Sequence, residues 1–282
     1  MGERIIRADG VELATETFGA PTDPAILLVM GVMASMLWWP EEFCTRLAAR
    51  GRHVIRYDNR DTGRSTTYEH GKPTYTVDDL VEDTMRILDG YGMPAAHLVG
   101  MSMGGMIVQL ATVQHPARVA SVTAISTTPI GLDNVALPGF DPALDAHFAQ
   151  SAAVDWHDRD AVIRHMVEDS RLMIGPERTF DLSGMTELVA RDYDRARNFA
   201  SATNHTILQG GAGGAGRLQE IGAPFLVIHG TGDPIFPIVH GVARADAVPG
   251  AALIRLEGSG HELNEADWGT IIAAIVGHTA RR

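Results

Sequence analysis

Hydrophobic and polar positions along this chain follow two rhythms, and the rhythm changes repeatedly. Ile5-Ile6-Arg7, a turn at Asp9-Gly10 and the alternating stretch Val11 to Glu16 predict an N-terminal hairpin that ends near Phe18. Short, largely apolar runs follow at Ala25 to Met30, Val54 to Tyr57, His97 to Val99, Val119 to Ile125, Phe225 to His229 and Leu253 to Leu256. Strands buried on both faces read this way, in a sheet covered by helices on either side. Helical spacing predicts Glu41 to Arg50, Val77 to Leu88, Gly105 to His115 before the stop at Pro116, and a last helix around Ile271 to Val276. Alternation of the two rhythms predicts an α/β fold: a mostly parallel sheet with helices on both faces and an antiparallel start.

One long segment breaks the alternation. From Ile130 to about Arg217 the pattern predicts helices at Pro142 to Ala153, Arg159 to Met173 and Met185 to Leu208, with no buried strand. Helices placed between two sheet strands are expected to sit as a cap over the carboxyl edge of the sheet, where open α/β folds bind ligands. The expected organisation is a core of residues 1–129, a helical cap of 130–217 before the last two strands, and the rest of the core at 218–282. Gly211, Gly213 and Gly216 formally satisfy G-x-G-x-x-G, but a helix precedes them and no βαβ unit follows. A flexible return from cap to core fits that context better than dinucleotide binding.

Candidate chemistry gathers just past the strand ends. Gly100-Met101-Ser102-Met103-Gly104 joins a strand to a helix with serine at the turn, which exposes a hydroxyl beside free helix N–H groups. Acyl transfer through that serine needs a base, an orienter for the base, and donors for the oxyanion. His261, in Glu257-Gly-Ser-Gly-His261, follows the last strand and is the candidate base. Asp233, in Gly230-Thr-Gly-Asp233-Pro, follows the strand before it and is the candidate orienter. The earlier strand ending at Ile125 offers no carboxylate before Asp133, His229 lies inside a strand, and Glu262 adjoins the base too closely to orient it. Gly31 lets the loop after Ala25 to Met30 turn back toward the serine, so the backbone N–H groups of Val32 and Met103 are the expected oxyanion donors. Met33, Trp38 and Trp39 on that loop, Gly31 itself, and Trp156 and Tyr193 in the cap are candidate substrate contacts, with Met30, Met36, Met101, Met103 and Met106 as an adaptable apolar surround.

Composition narrows the partners. With 282 residues, 45% hydrophobic and 21% charged, the chain has ample material for a core, and its net charge of −12 disfavours nucleic acid and anionic membranes. Cys44 is the single cysteine, so no internal disulfide forms. The start Met1-Gly-Glu-Arg lacks a secretory apolar region and no run approaches a membrane span, so a cytoplasmic location is expected. No H-E-x-x-H or cysteine pair is present and His157 and His165 stand eight apart, so neither a metal nor a cofactor is expected. Oligomeric state is not readable.

The order Ser102, Asp233, His261 is that of the α/β-hydrolases, and the chain resembles that family from its hairpin to its last helix. Asp58-Asn59-Arg60-Asp61-Thr62-Gly63-Arg64-Ser65 is similar to the family's D-x-R-G-x-G-x-S loop, departing at Asp61, and is expected to brace the fold by Asp/Arg pairing. Together with Leu28-Val29-Met30-Gly31 and Val99-Gly-Met-Ser-Met-Gly104, that loop resembles the aclacinomycin methylesterase group. The resemblance implies a Ser-His-Asp ester hydrolase that cleaves a carboxylic methyl ester of an aromatic polyketide, and it covers the core better than the cap. A small-molecule apolar ester, such as a methyl ester of a bulky aromatic or polyketide-like acid, is the expected substrate. Lactone and carbon–carbon bond hydrolysis use the same triad and stay open, as does a ligand-binding module on a hydrolase scaffold. Epoxide hydrolase and haloalkane dehalogenase chemistry requires Asp where Ser102 stands.

Overall fold

A computed structural model describes residues 2–132, 136–211, 214 and 216–280. Eight strands form one sheet: β1 (Arg4–Ala8), β2 (Val11–Phe18), β3 (Ala25–Val29), β4 (His53–Tyr57), β5 (Ala96–Met101), β6 (Val119–Ile125), β7 (Phe225–Gly230) and β8 (Ala252–Leu256). Their order is β1-β2-β4-β3-β5-β6-β7-β8, with β2 antiparallel to both neighbours and all other pairs parallel. Residues alternate between faces along each strand, and β3 shows the result. Leu27 and Val29 pack with Leu80, Leu88, Ile107 and Val108 on one side, while Ile26 and Leu28 pack with Phe43, Leu47, Ile271 and Ile275 on the other. The first side is covered by α2 (Val77–Gly90) and α3 (Met103–Gln114), the second by α1 (Glu41–Ala48) and α8 (Glu265–Thr279). Each such apolar side chain, fully removed from water, contributes about 1.5–3 kcal/mol.

Between β6 and β7 the described residues contain α4 (Pro142–Phe148), α5 (Arg159–Met173) and α6 (Leu182–Arg195) and no strand. This insertion has its own apolar cluster of Trp156, Val162, Met166, Val167, Val189, Phe199 and Ala200. Two expected helices are shorter than their periodicity suggests. The first ends at Phe148 and continues as 3₁₀ turns, and the long helix expected over Met185 to Leu208 breaks at Ala196 before 3₁₀ turns over Phe199–Ile207. No Gly or Pro marks that second break. Contacts with the core coincide with it: Arg195 pairs with Asp58 and Glu3, while Arg197 pairs with Glu12 and donates its backbone N–H to Gly63.

Helix α7 (Val239–Ala247), between β7 and β8, has no counterpart in the hydrophobic pattern. Its inner face is polar, with His240 and Arg244 buried, and Gly241 lies so close to β7 that a Cβ there would come within 2.8 Å of the His229 ring. Gly213, in the formal G-x-G-x-x-G match, lies outside the described residues, as does Asp133. Among the described residues no helix is long and apolar enough to cross a membrane.

Candidate active site

Strand β5 ends at Met101 and α3 begins at Met103, leaving Ser102 alone at the turn with φ 56° and ψ −123°. A residue with a Cβ pays about 1–3 kcal/mol for such a backbone, and that cost recurs where function needs the side chain displayed. The turn closes this tightly because its flanks are glycines: a Cβ on Gly100 would meet Gly104 O at 2.2 Å, and one on Gly104 would meet Val29 O at 2.1 Å. The Ser102 N–H is tied to Ile125 O at 3.0 Å, fixing the turn to β6. Met103 opens the helix, so its N–H has no intrahelical partner. Gly31 lies alongside, where a Cβ would come within 3.0 Å of the Ser102 Cβ, and Val32 follows with its side chain turned to solvent.

Strands β5 to β8 are parallel and consecutive in the sheet, so Ser102, Asp233 and His261 all leave it at its carboxyl edge. His261 Nδ1 is 2.9 Å from Asp233 Oδ2, with both side chains buried. The other carboxylate oxygen, Oδ1, accepts the backbone N–H groups of Ile235 and Phe236 at 2.9 and 2.8 Å. Burial pushes the Asp233 carboxyl up, but the charge and hydrogen bond of His261, the field of His229 and the Phe236 N–H together hold it below the ordinary value. His229 stays in β7, its Nε2 on Phe236 O at 2.6 Å, and burial together with nearby Arg244 lowers it to about 4. Glu262 turns away to accept the Gly175 N–H. The His261 backbone is fixed by its N–H to Met173 O at 2.8 Å, and Phe236 packs its ring edge on the imidazole.

The loop from Gly31 to Trp39 is held from two directions. From the core, Asp58 accepts the Met36 N–H at 2.8 Å and Asn59 donates to Met30 O at 3.2 Å. From the insertion, His205 accepts the Met33 N–H at Nδ1 (3.0 Å) and donates from Nε2 to Arg60 O (2.7 Å). Burial lowers the His205 pKa and favours the neutral ring that both bonds require. Asp192 on α6 accepts the Trp38 indole N–H at 2.7 Å and the Ser35 N–H at 3.5 Å. The braced loop expected at Asp58 to Ser65 forms, but its partners come from elsewhere: Arg60 with Asp83 on α2, Asp58 with Arg195 on α6. Asp61 explains its departure from glycine. It takes the left-handed φ of 67° and spends its carboxylate on Tyr68 N, Tyr75 Oη and Asn204 Nδ2.

Asp192 yields a stability prediction. Burial raises its carboxyl to about 6, opposed by the Ser35 and Trp38 donors and reinforced by Asp58. Between the ordinary value of 3.8 and about 6 the folded chain holds a proton that the unfolded chain has released, so stability falls as pH rises through that window and is level above it. This group alone accounts for about 3 kcal/mol at most. Urea melts of wild type and Asp192→Asn at pH 4 and pH 7 check it: the wild type should lose more stability than the variant over that interval, and equal losses would refute the assignment.

The candidate substrate contacts divide. Met33 and Trp38 are partly buried and pack against the insertion's apolar cluster. Trp39 does not belong with them: it has no exposed surface and packs its tilted ring on Phe43 in the core under α1, and Met30, Met36 and Met101 are buried as well. Trp156 is buried within the insertion with its indole N–H on Ser151 O, and Tyr193 lies on Phe199 with its hydroxyl on His157 O. A cleft of ≈ 540 Å³ lined by Arg4, His53 and Tyr91 lies at the opposite edge of the sheet, away from Ser102. His157 and His165 do not pair as ligands, but His147, His165 and Asp169 converge on α4 and α5, a grouping no local spacing announced. Asp192 likewise carried no sequence signal, since an acid on a helix reads as solvated until its tertiary neighbours are known.

The family model described as the alpha/beta hydrolase fold matches residues 24–267. The chain is 34% identical to rhodomycin D methylesterase DauP of Streptomyces sp. (strain C5) and 33% identical to rhodomycin D methylesterase DnrP of Streptomyces peucetius, in each case over 99% of this chain and 98% of the relative. Among solved structures, 2-hydroxy-6-oxo-6-phenylhexa-2,4-dienoate hydrolase from Rhodococcus sp. strain RHA1 matches 99% of this chain and 98% of its own, with a TM-score of 0.76 at 21% identity. Est816, described as an N-acyl homoserine lactone degrading enzyme, matches 97% and 99% with a TM-score of 0.74 at 22% identity. At such identities these structures speak to the fold alone.

Proposed function

The chain belongs to the α/β-hydrolase fold family, and from that premise we propose that it is a serine hydrolase of carboxylic esters acting through an acyl-enzyme on Ser102. The observation that carries the reading is the His261–Asp233 pair, 2.9 Å apart, on the two loops that follow β8 and β7, at the same carboxyl edge of the sheet as the strained turn at Ser102. His261 takes the Ser102 proton as Oγ attacks the ester carbonyl, and Asp233 holds the ring with Nδ1–H toward itself and stabilises the imidazolium. The Val32 and Met103 N–H groups receive the oxyanion, each contributing roughly 3–4 kcal/mol to the transition state. His261 then protonates the leaving alcohol, and water enters through the same base to release the acid. The sequence needs no cofactor.

A methyl ester of a bulky aromatic or polyketide-like acid is the proposed substrate. Similarity to two rhodomycin D methylesterases over nearly the whole chain, insertion included, supports it. Met33 and Trp38, facing the insertion's apolar cluster, suit a large flat guest. The test is a paired panel of methyl esters of polycyclic aromatic acids and small p-nitrophenyl esters. The bulky methyl esters should lead in kcat/KM by about 100-fold, since each well-filled apolar subsite is worth roughly tenfold or more. Turnover of small activated esters alone would remove the substrate and leave the mechanism, with lactones and vinylogous diketones next. A fluorophosphonate that fails to label folded protein at Ser102 would remove the enzyme reading in favour of a binding module.

A further inference from the structure

Three side chains that ester cleavage does not use meet inside the insertion. His165 and Asp169 are one turn apart on α5 and share a face. His147, the next-to-last residue of α4, lies against them, its ring 4.8 Å from that of His165 and inclined by 25°. One nitrogen of each imidazole and a carboxylate oxygen lie within 4.8 Å of one another. His147 Nε2 is 2.7 Å from Asp169 Oδ1, and His165 Nε2 is 3.7 Å from the same oxygen and 2.9 Å from Ser151 Oγ.

One carboxylate oxygen, Asp169 Oδ1, faces both rings. His147 Nε2 and Asp169 Oδ1 are both buried and lie 2.7 Å apart, the separation of a His–Asp pair. Asp169 has no Lys or Arg partner among the described ion pairs, and the neighbouring Glu168 is engaged by Arg171 on the outer face. A buried carboxylate oxygen facing two imidazoles, with no Lys or Arg among the described residues to balance it, is a donor set that a cation can occupy in place of a proton.

We propose that His147, His165 and Asp169 form a binding site for a divalent transition-metal ion of the zinc type, which joins α4 to α5. Two imidazoles and one carboxylate suit Zn²⁺, Co²⁺ or Ni²⁺, whereas Ca²⁺ and Mg²⁺ require all-oxygen surroundings. Bonds of about 2.0–2.2 Å at tetrahedral angles set ligand atoms about 3.3–3.6 Å apart, so the 3.7 Å separation fits as it stands and the 2.7 Å one opens on binding. Two such bonds reach about 4.2 Å, so where the ligand atoms are as much as 4.8 Å apart one of them must close inward. His147 is placed to do so: it ends a seven-residue helix and its side chain retains 12% exposure, which also gives the ion an entrance. Coordination through His165 Nε2 replaces its hydrogen bond to Ser151, whose freed hydroxyl, with water, completes the shell, and the edge of Trp156 walls the site 5.6 Å from the His165 ring. The ion's place is structural, fixing the short helix by which the chain enters the insertion.

The experiment is a Zn²⁺ titration of chelator-treated full-length protein by calorimetry, repeated with Co²⁺ to read d–d absorption and accompanied by melting curves. Wild type should bind one ion per chain with a micromolar or tighter Kd, show visible Co²⁺ bands, and melt at higher temperature with Zn²⁺. His147→Ala and Asp169→Asn should each weaken binding at least about tenfold and abolish the melting shift. Should Asp169→Asn fail to fold, the partly exposed His147 decides the matter alone. Absence of binding by wild type below about 0.1 mM, or binding that survives both substitutions and so belongs to others of the twelve histidines, overturns the proposal.

Discussion

Ser102→Ala is expected to lower kcat by a factor on the order of 10⁶, with residual turnover supplied only by oxyanion stabilisation and substrate positioning. The same substitution should leave the fold intact. Serine and alanine both carry a Cβ, so the strain at φ 56° is unchanged, and the lost hydroxyl has no backbone bond to maintain. Ser102→Gly makes the contrast sharper, because glycine occupies that backbone without penalty: it should be as inactive as Ser102→Ala yet more stable by about 1 kcal/mol. Single-turnover kinetics and thermal melts of the three proteins check both halves. Activity in Ser102→Ala above a small fraction of wild type would transfer the nucleophile elsewhere, and a destabilised Ser102→Gly would deny the strain.

Asp233→Asn should cost on the order of 10⁴ in kcat, and the hydrogen bonds around the carboxylate say how. Oδ1 accepts two backbone N–H groups, from Ile235 and Phe236, whereas Oδ2 faces His261 Nδ1. An asparagine keeps its oxygen toward the two donors, which turns its NH₂ to the imidazole. Nδ1 must then accept, the proton moves to Nε2, and the nitrogen that should take the Ser102 proton is already occupied. Burst and steady-state kinetics with the preferred ester measure the loss. A variant as active as wild type would mean that another acid orients His261.

The candidate residues Ser102, Asp233 and His261 stand out in the sequence for one physical reason. Each stands in a glycine-punctuated turn directly after a compact apolar run, and both signals are local. The same locality makes the sheet readable, down to the antiparallel hairpin and the Gly100 and Gly104 contacts. What depends on distant partners is not readable. Helix α7 buries an arginine and a histidine where a hydrophobic stripe would have announced it. The break at Ala196 follows ion pairs to Asp58 and Glu12, more than a hundred residues earlier in the chain. Trp38 and Trp39 are adjacent and chemically alike, yet one contacts the insertion and the other fills the core under α1, because successive side chains diverge and only the tertiary neighbours decide which is which. Asp192 and the His147, His165 and Asp169 grouping are products of folding for the same reason.

The bonds from His205 and Asp192 to the Gly31–Trp39 loop bear on how this scaffold changes specificity. An insertion that touched only substrate could be exchanged between homologues like a cartridge, and the chemistry would survive the exchange. Here the insertion also carries acceptors for the loop proposed to supply an oxyanion donor, and Arg195 and Asn204 anchor it to the Asp58 to Ser65 loop. A transplanted insertion lacking counterparts of those four residues would leave Met33 N–H and the Trp38 indole without acceptors, and kcat would fall along with selectivity. Chimeras of this scaffold therefore need the four anchors transferred as a set.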